Sequence, residues 1–375
     1  MKYAYSPLLR APDRAIDVDM EKPAVVRMMK AMCRARQKEL SPEWMRQRGV
    51  RLKRTEYPGL DGEKIPLFVI TPAEENAGGT EPGGGEPVGA RDDGTHDETK
   101  VGGGEPVGVR DGMRGGCPAM IYLHGGAFAL PVQQSALELA AVYAKALRMP
   151  VFLPEYRLLP EYSGGTIWED CLALWRWLDR DENAEKYALD RERMLLYGES
   201  AGGALAAGLT LWRRDQRKRL PAGVLLVYPV LDDRDGDTGQ GKNGKEETGQ
   251  GGQGGTGNRY ASRTLYEEAA WSARSNASMW SVYLKGAREE QLKYLVPMRH
   301  PDVSGFPQTY IEPQEFDILR DEAVEFGRKL ANAGTICRTN VISGSYHSFD
   351  ADLESELVQR VLGERISEMR KMLGT

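Results

Sequence analysis

Short, wholly apolar runs alternate along this chain with longer segments whose apolar residues recur every three or four positions. Pro118–Leu123, Pro150–Pro154, Met194–Tyr197 and Gly223–Val227 read as strands buried on both faces, and Gln308–Ile311 and Arg338–Ile342 resemble the last two strands of the series. Between and after them, the spacing predicts helices over Gln134–Leu147, Glu169–Leu178, Ala201 to about Arg213, Asp321–Ala333 and Asp352–Leu373. Continuous apolar strands separated by helices imply a mostly parallel central sheet covered by helices on both faces, an α/β fold. Residues 1–50 follow another pattern. Val25, Met28, Met29 and Met32 mark one face of a basic helix, which is expected to pack against the protein as part of an N-terminal helical cap rather than lie on a membrane. Residues 51–375 then form the main domain.

Glycine usage divides that domain. Of 43 glycines, 14 fall in Ala77–Gly116 and 10 in Asp235–Asn258. The first stretch repeats itself: Gly83–Gly89 (GGGEPVG) recurs as Gly102–Gly108. Neither stretch carries enough apolar surface to offset the entropy of ordering it, so both read as inserted surface loops.

Composition narrows the function. Hydrophobic residues at 41% and charged residues at 28% suit a chain with a sizeable core. No apolar run approaches the roughly 18 residues that span a bilayer, and no continuous apolar h-region follows Met1. No stable membrane association and a cytoplasmic location are therefore expected. A net charge of -5 argues against a nucleic-acid partner. The basic cluster Arg213, Arg214, Arg217, Lys218, Arg219 sits where a helix ends, and cations favour that pole of the dipole. Cys33, Cys117, Cys171 and Cys337 are too scattered for a zinc or disulfide framework, and neither a metal nor an organic cofactor is expected.

The chemistry begins at Gly198-Glu199-Ser200-Ala201-Gly202, a G-x-S-x-G set between a predicted strand and a predicted helix. That is the setting of a nucleophile elbow, where Gly198 and Gly202 permit a sharp turn and Ser200 is exposed. The N–H of Ala201, at the helix N-terminus, suits a developing oxyanion. His124-Gly125-Gly126-Ala127-Phe128 ends another strand, and Gly125 and Gly126 read as the other half of an oxyanion hole. Four histidines compete to be the base. His96 lies in the first insert, His124 belongs to the oxyanion segment, and His300 reads as a surface residue of a polar loop. His347 follows the last predicted strand, where ligands bind in open α/β folds, and by elimination it is the base. An orienting carboxylate belongs between Ser200 and His347 in chain order. Asp317 suits it best; Asp321 reads as a favourable first-turn charge of the next helix, and Glu315 is the remaining alternative.

These motifs resemble the hormone-sensitive-lipase-like family of α/β-hydrolases, bacterial esterases with an H-G-G-type oxyanion motif. Tyr156–Glu161 resembles that family's Y-R-L-x-P-E, with Asp170 as the aspartate of the following helix. Asp317–Asp321 resembles its D-x-L-x-D and His347-Ser348-Phe349 its H-G-F. Glu199 stands where the family usually has Asp, and Ser348 where it has Gly. The resemblance implies an α/β-hydrolase fold and a serine carboxylic-ester hydrolase acting on small uncharged substrates, from acetyl to medium-chain esters. A Ser200-His347-Asp317 triad would form an acyl-enzyme. Homodimers occur among similar enzymes, but no interface is marked here. An amidase or formamidase would use the same groups. A non-catalytic receptor on this fold would not need a complete triad.

Overall fold

The computed structural model describes residues 3–12, 15–36, 42–73, 116–234 and 260–375. The two glycine-rich stretches, Gly116 aside, and His96 lie outside the described residues. Ten strands are described: β1 (Val50–Pro58), β2 (Lys64–Pro72), β3 (Cys117–Leu123), β4 (Val151–Pro154), β5 (Leu189–Glu199), β6 (Gly223–Val227), β7 (Thr309–Glu312), β8 (Gln314–Phe316), β9 (Cys337–Thr339) and β10 (Ile342–Tyr346). Eight form one sheet in the order β1-β2-β4-β3-β5-β6-β7-β9. The β1–β2 and β2–β4 pairs are antiparallel and every later pair is parallel.

Both faces of the central strands are buried, as their unbroken apolar runs require. Along β3, Ala119, Ile121 and Leu123 face one core, while Met120 and Tyr122 face the other. The first core is covered by α4 (Gly164–Leu178), α6 (Ala201–Asp215), α9 (Glu289–Leu295) and α10 (Arg320–Asn332). The second is covered by α3 (Gln134–Leu147) and α11 (Glu356–Leu373). Fully burying each Leu, Ile or Phe here contributes about 1.5–3 kcal/mol. The remaining helices are α1 (Pro23–Arg36), α2 (Pro42–Gln47), α5 (Asp181–Lys186), α7 (Ala261–Leu265) and α8 (Ala273–Tyr283). No described helix is long and apolar enough to cross a membrane.

Two expectations change. Arg338–Ile342 is not one strand: β9 completes the main sheet, and the chain then turns at Asn340–Val341 into β10, which pairs in parallel with β8 as a separate two-stranded sheet. The reason is local. Pro313 separates β7 from β8, and both chain segments leave the main sheet at that level, where Ile342 N–H donates to the Pro313 carbonyl (3.0 Å). The second change concerns α1. Its inward face is Val26 and Lys30, with Met29 half-buried, whereas Met28 and Met32 are 57% and 46% exposed. Lys30 causes the rotation: its ammonium donates to the Leu159 carbonyl (2.8 Å) and pairs with Glu161, which draws its aliphatic stem inward.

Three residues of the basic cluster at the end of α6 pair within the protein, and Arg217 and Lys218 are exposed. Arg213 lies buried over the Trp175 ring and bonds Asp179 (3.0 Å), Arg214 bonds Asp215 (2.6 Å), and Arg219 reaches Glu192 (2.7 Å).

Candidate active site

Ser200 is the hinge between β5 and α6, with φ +50° and ψ −120°. A non-glycine residue pays for that conformation, so the surroundings must enforce it. They do. Ser200 N–H donates to the Val227 carbonyl (2.9 Å), and the Ser200 carbonyl accepts from Gly203 (2.9 Å) and Val230 (3.0 Å). The neighbouring glycines are fixed by space. A Cβ on Gly202 would sit 2.0 Å from the Leu123 carbonyl oxygen, and one on Gly198 would sit 2.3 Å from the Gly202 carbonyl oxygen.

The small sheet brings the expected base and acid together. Phe316 and Tyr346 are register partners, so the next residue on each strand, Asp317 and His347, emerges beside the other. His347 Nε2 lies 3.0 Å from Ser200 Oγ, and His347 Nδ1 lies 2.7 Å from Asp317 Oδ2. Asp317 is buried, and its Oδ1 accepts from Leu319 N–H (3.1 Å). The two alternative carboxylates are engaged elsewhere. Asp321 caps α7 through Ser262 N–H (2.8 Å), and Glu315 accepts from Gly344 N–H (2.7 Å) and the Ser343 hydroxyl (2.8 Å). The N-terminal segment braces this sheet, with Ser6 N–H on the Gly344 carbonyl (2.9 Å) and the Tyr5 ring 5.3 Å from those of Tyr346 and Phe316.

The oxyanion segment departs from expectation at one position. Gly125 N–H donates to Glu199 Oε1 (3.2 Å), a buried carboxylate, so that N–H is already engaged within the protein. Gly126, Ala127 and Phe128 follow with φ of +111°, +54° and +57°, and this curl carries Gly126 and Ala127 to the cavity wall, where Gly125 is absent. Ala201 begins α6, where the first N–H groups have no intrahelical acceptor. His124 is held out of the chemistry. Its ring stacks on Tyr156 (centroids 4.2 Å apart), its Nδ1 lies 2.7 Å from the Gly125 carbonyl, and burial lowers its pKa to about 4. His300 is not at the surface: it is 3% exposed, with Nε2 3.0 Å from Asp215 Oδ2, and burial lowers its pKa. The polar composition of its loop concealed the Tyr294–Asp215 pocket that receives it.

Ser200 and His347 open onto an apolar cavity of about 150 Å³. Met20, Val26 and Met29 wall it from the N-terminal region, and Trp271 and Met279 from the segment that includes α8. Of the α1 face read from sequence, Met29 lines it, and Val25, Met28 and Met32 do not. Among the described residues, no aspartate, glutamate, lysine or arginine lines the cavity. Trp271 and Met279 escaped sequence reasoning. The signal available was an apolar residue on each side of the Ser272 cap, next to a short helix of otherwise mixed composition.

The remaining motif residues act as struts. Arg157 binds Asp170 through its backbone N–H (2.9 Å) and guanidinium (2.5 Å) and also binds Asp61. This ties the turn after β4 to α4 and to the β1–β2 hairpin.

Comparisons with known proteins agree with this architecture. "Lipase 2" of Moraxella sp. (strain TA144) is 26% identical over 259 residues, which is 62% of this chain and 54% of that protein. Ethyl acetate hydrolase of Pseudomonas putida is 28% identical over 232 residues, covering 62% and 65%, and rabbit (Oryctolagus cuniculus) arylacetamide deacetylase is 26% identical over 269 residues, covering 61% and 67%. The match thus spans about half to two thirds of these relatives. Among solved structures, esterase LipW from Mycobacterium marinum superposes with a TM-score of 0.74 at 22% identity, over 98% of this chain and 96% of that one. The family model for the alpha/beta hydrolase fold matches residues 120–351, and the strand order, the elbow and the motif series accord with it, so this chain belongs to the α/β-hydrolase fold family.

Proposed function

We propose that the protein is a serine carboxylic-ester hydrolase for small, uncharged esters with short acyl groups. The observation that carries this reading is the aligned series Ser200–His347–Asp317, at 3.0 and 2.7 Å, opening onto an apolar cavity. His347 takes the Ser200 proton as Oγ attacks the ester carbonyl, and Asp317 holds the imidazole tautomer that leaves Nε2 free to accept it. The oxyanion of the tetrahedral intermediate is met by the N–H groups of Gly126, Ala127 and Ala201, with Ala127 replacing Gly125 in the set expected from sequence. His347 then returns the proton to the leaving alcohol, and a water activated by the same imidazole releases the acyl group from Ser200. Residues 15–36 serve as the cap that closes the cavity from above.

Cavity size supports a short acyl group. About 150 Å³ is the scale of a site that accepts a benzene ring, which is room for an acetyl to butyryl group and too little for a long acyl chain. Esters of the ethyl acetate type fit, and the relative from Pseudomonas putida is named for that substrate. The test is hydrolysis of p-nitrophenyl esters from acetyl to palmitoyl, beside Ser200→Ala. Turnover that peaks at two to four acyl carbons and vanishes in Ser200→Ala is expected; no ester turnover by the folded wild type refutes the reading.

An amide substrate is the second reading, favoured by the similarity to arylacetamide deacetylase. Matched ester and anilide substrates separate the two, since an amidase would retain appreciable turnover of the anilide.

A further inference from the structure

A buried carboxylate lies beneath the site and takes no part in the proton relay. Glu199 precedes Ser200 and ends β5, and its side chain points back under the oxyanion segment. Its Oε1 accepts Gly125 N–H (3.2 Å), and its Oε2 accepts the Tyr122 hydroxyl (2.6 Å) from β3. Tyr228, just after β6, lies 3.5 Å from Oε2 and donates instead to Asp350 (2.7 Å), which is held by Arg365 of α11 (2.7 Å). Glu199 therefore stands at the end of a buried polar chain that runs Arg365–Asp350–Tyr228, and its own hydrogen bonds go to Tyr122 and to the loop that faces the nucleophile.

That loop is pressed against Ser200. A Cβ on Gly125 would lie 3.2 Å from Ser200 Cβ and 3.4 Å from the Glu199 carbonyl oxygen. Gly125 is buried, so its N–H needs an acceptor within the protein. Glu199 supplies it, and only after that anchor does the chain enter the run of positive φ values from Gly126 to Phe128.

We propose that Glu199 is a positioning residue for ester hydrolysis: by accepting Gly125 N–H it sets the turn that aims the N–H groups of Gly126 and Ala127 at the developing oxyanion. The proposal rests on the ester-hydrolase reading. The Glu199 carboxylate bonds Tyr122 and Gly125 rather than the triad side chains, so its loss acts through the loop. Preorganised donors displaced by even a fraction of an ångström stabilise the transition state less while leaving apolar ground-state binding alone.

The experiment compares wild type, Glu199→Ala and Glu199→Gln on p-nitrophenyl acetate, with circular dichroism and melting curves to establish folding. Glu199→Ala is expected to lose about tenfold or more in kcat with KM within about threefold. Its affinity for a trifluoromethyl ketone, which forms a tetrahedral adduct on the serine, falls in parallel. Glu199→Gln keeps an acceptor oxygen for Gly125 and recovers most of the lost kcat. A merely structural role would lower the melting temperature and leave kcat per folded molecule intact, so a folded Glu199→Ala with kcat within twofold of wild type overturns the proposal. Should that variant not fold, Tyr122→Phe removes only the hydroxyl that bonds Glu199. It is expected to lower kcat at least about threefold at unchanged KM, and an unchanged kcat overturns the proposal equally. Failure of the underlying reading would look different, because wild type itself would then turn over no ester.

Discussion

Asp317→Asn provides a demanding test of the triad because the structure dictates which way the new amide must face. Asp317 Oδ1 accepts Leu319 N–H at 3.1 Å, while Oδ2 meets His347 Nδ1 at 2.7 Å. An asparagine keeps the first bond only by placing its carbonyl oxygen toward Leu319, which turns its NH₂ toward His347. Nδ1 must then be the acceptor, the ring proton moves to Nε2, and Nε2 can no longer take the proton of Ser200. Volume, burial and the Leu319 bond are all preserved, so the fold should be unaffected. Wrong-tautomer variants of this kind lose about 10³–10⁴ in kcat, or about 4–5.5 kcal/mol of transition-state stabilisation. Steady-state hydrolysis of p-nitrophenyl acetate at pH 7.5 measures it, with a melting curve to establish native stability. Glu315→Gln is the control: its carboxylate braces the backbone of β10 rather than the imidazole, and it is expected to stay within about threefold of wild type. A native-like Asp317→Asn that keeps more than a tenth of wild-type kcat would refute the reasoning.

Ser348 holds a left-handed conformation (φ 60°, ψ 30°) next to His347, and Ser348→Gly is expected to add about 0.5–1 kcal/mol of stability, the relief of strain less the extra freedom of the unfolded glycine; an unchanged or lower urea midpoint contradicts it. At Gly208 of α6 a Cβ would fall 1.9 Å from the Tyr294 carbonyl oxygen, so Gly208→Ala forces α9 aside and should cost about 1–3 kcal/mol in denaturant melts, with no loss contradicting that close approach. Glu199 bears on stability as well as geometry. Burial, and then the Asp350 charge, raises its carboxyl from 4.5 to about 7, against stabilising hydrogen bonds from Tyr122 and Gly125 and the more distant charge of Arg365. A carboxyl raised on folding binds more protons in the native than in the unfolded state between those two values, so its contribution to stability is lost as pH rises from about 4.5 through about 7. Glu199→Gln lacks that titration, and its stability relative to wild type should improve between pH 5 and pH 8; a pH-independent difference would contradict the assignment.

Much of this architecture is legible in the chain because the central strands are buried on both faces. Runs such as Met120–Leu123 and Val224–Val227 carry no polar residue, and only a doubly covered parallel sheet accommodates several of them. The elbow was equally legible: Gly198 and Gly202 are demanded by backbone atoms within 2.3 Å of where a side chain would begin. What escaped depends on pairing between distant segments. The β8–β10 sheet is made of three- and five-residue strands that leave no periodicity of their own, yet its register sets Asp317 beside His347. The rotation of α1 depends on Lys30, which a hydrophobicity count places outside although Leu159 and Glu161 draw it in. Gly125 follows the same logic. Its motif marks it as an oxyanion donor, and only the reach of Glu199 across the elbow shows that its N–H is already committed.

The central claim is that Ser200 is a nucleophile activated by His347. Incubation with an alkyl p-nitrophenyl phosphonate, followed by peptide mass spectrometry, tests it most directly. One equivalent of p-nitrophenol should be released per chain, the phosphonyl mass should map to the peptide bearing Ser200, and both His347→Ala and Ser200→Ala should abolish labelling. A full-rate adduct in Ser200→Ala, or no adduct on the folded wild type, would contradict the account.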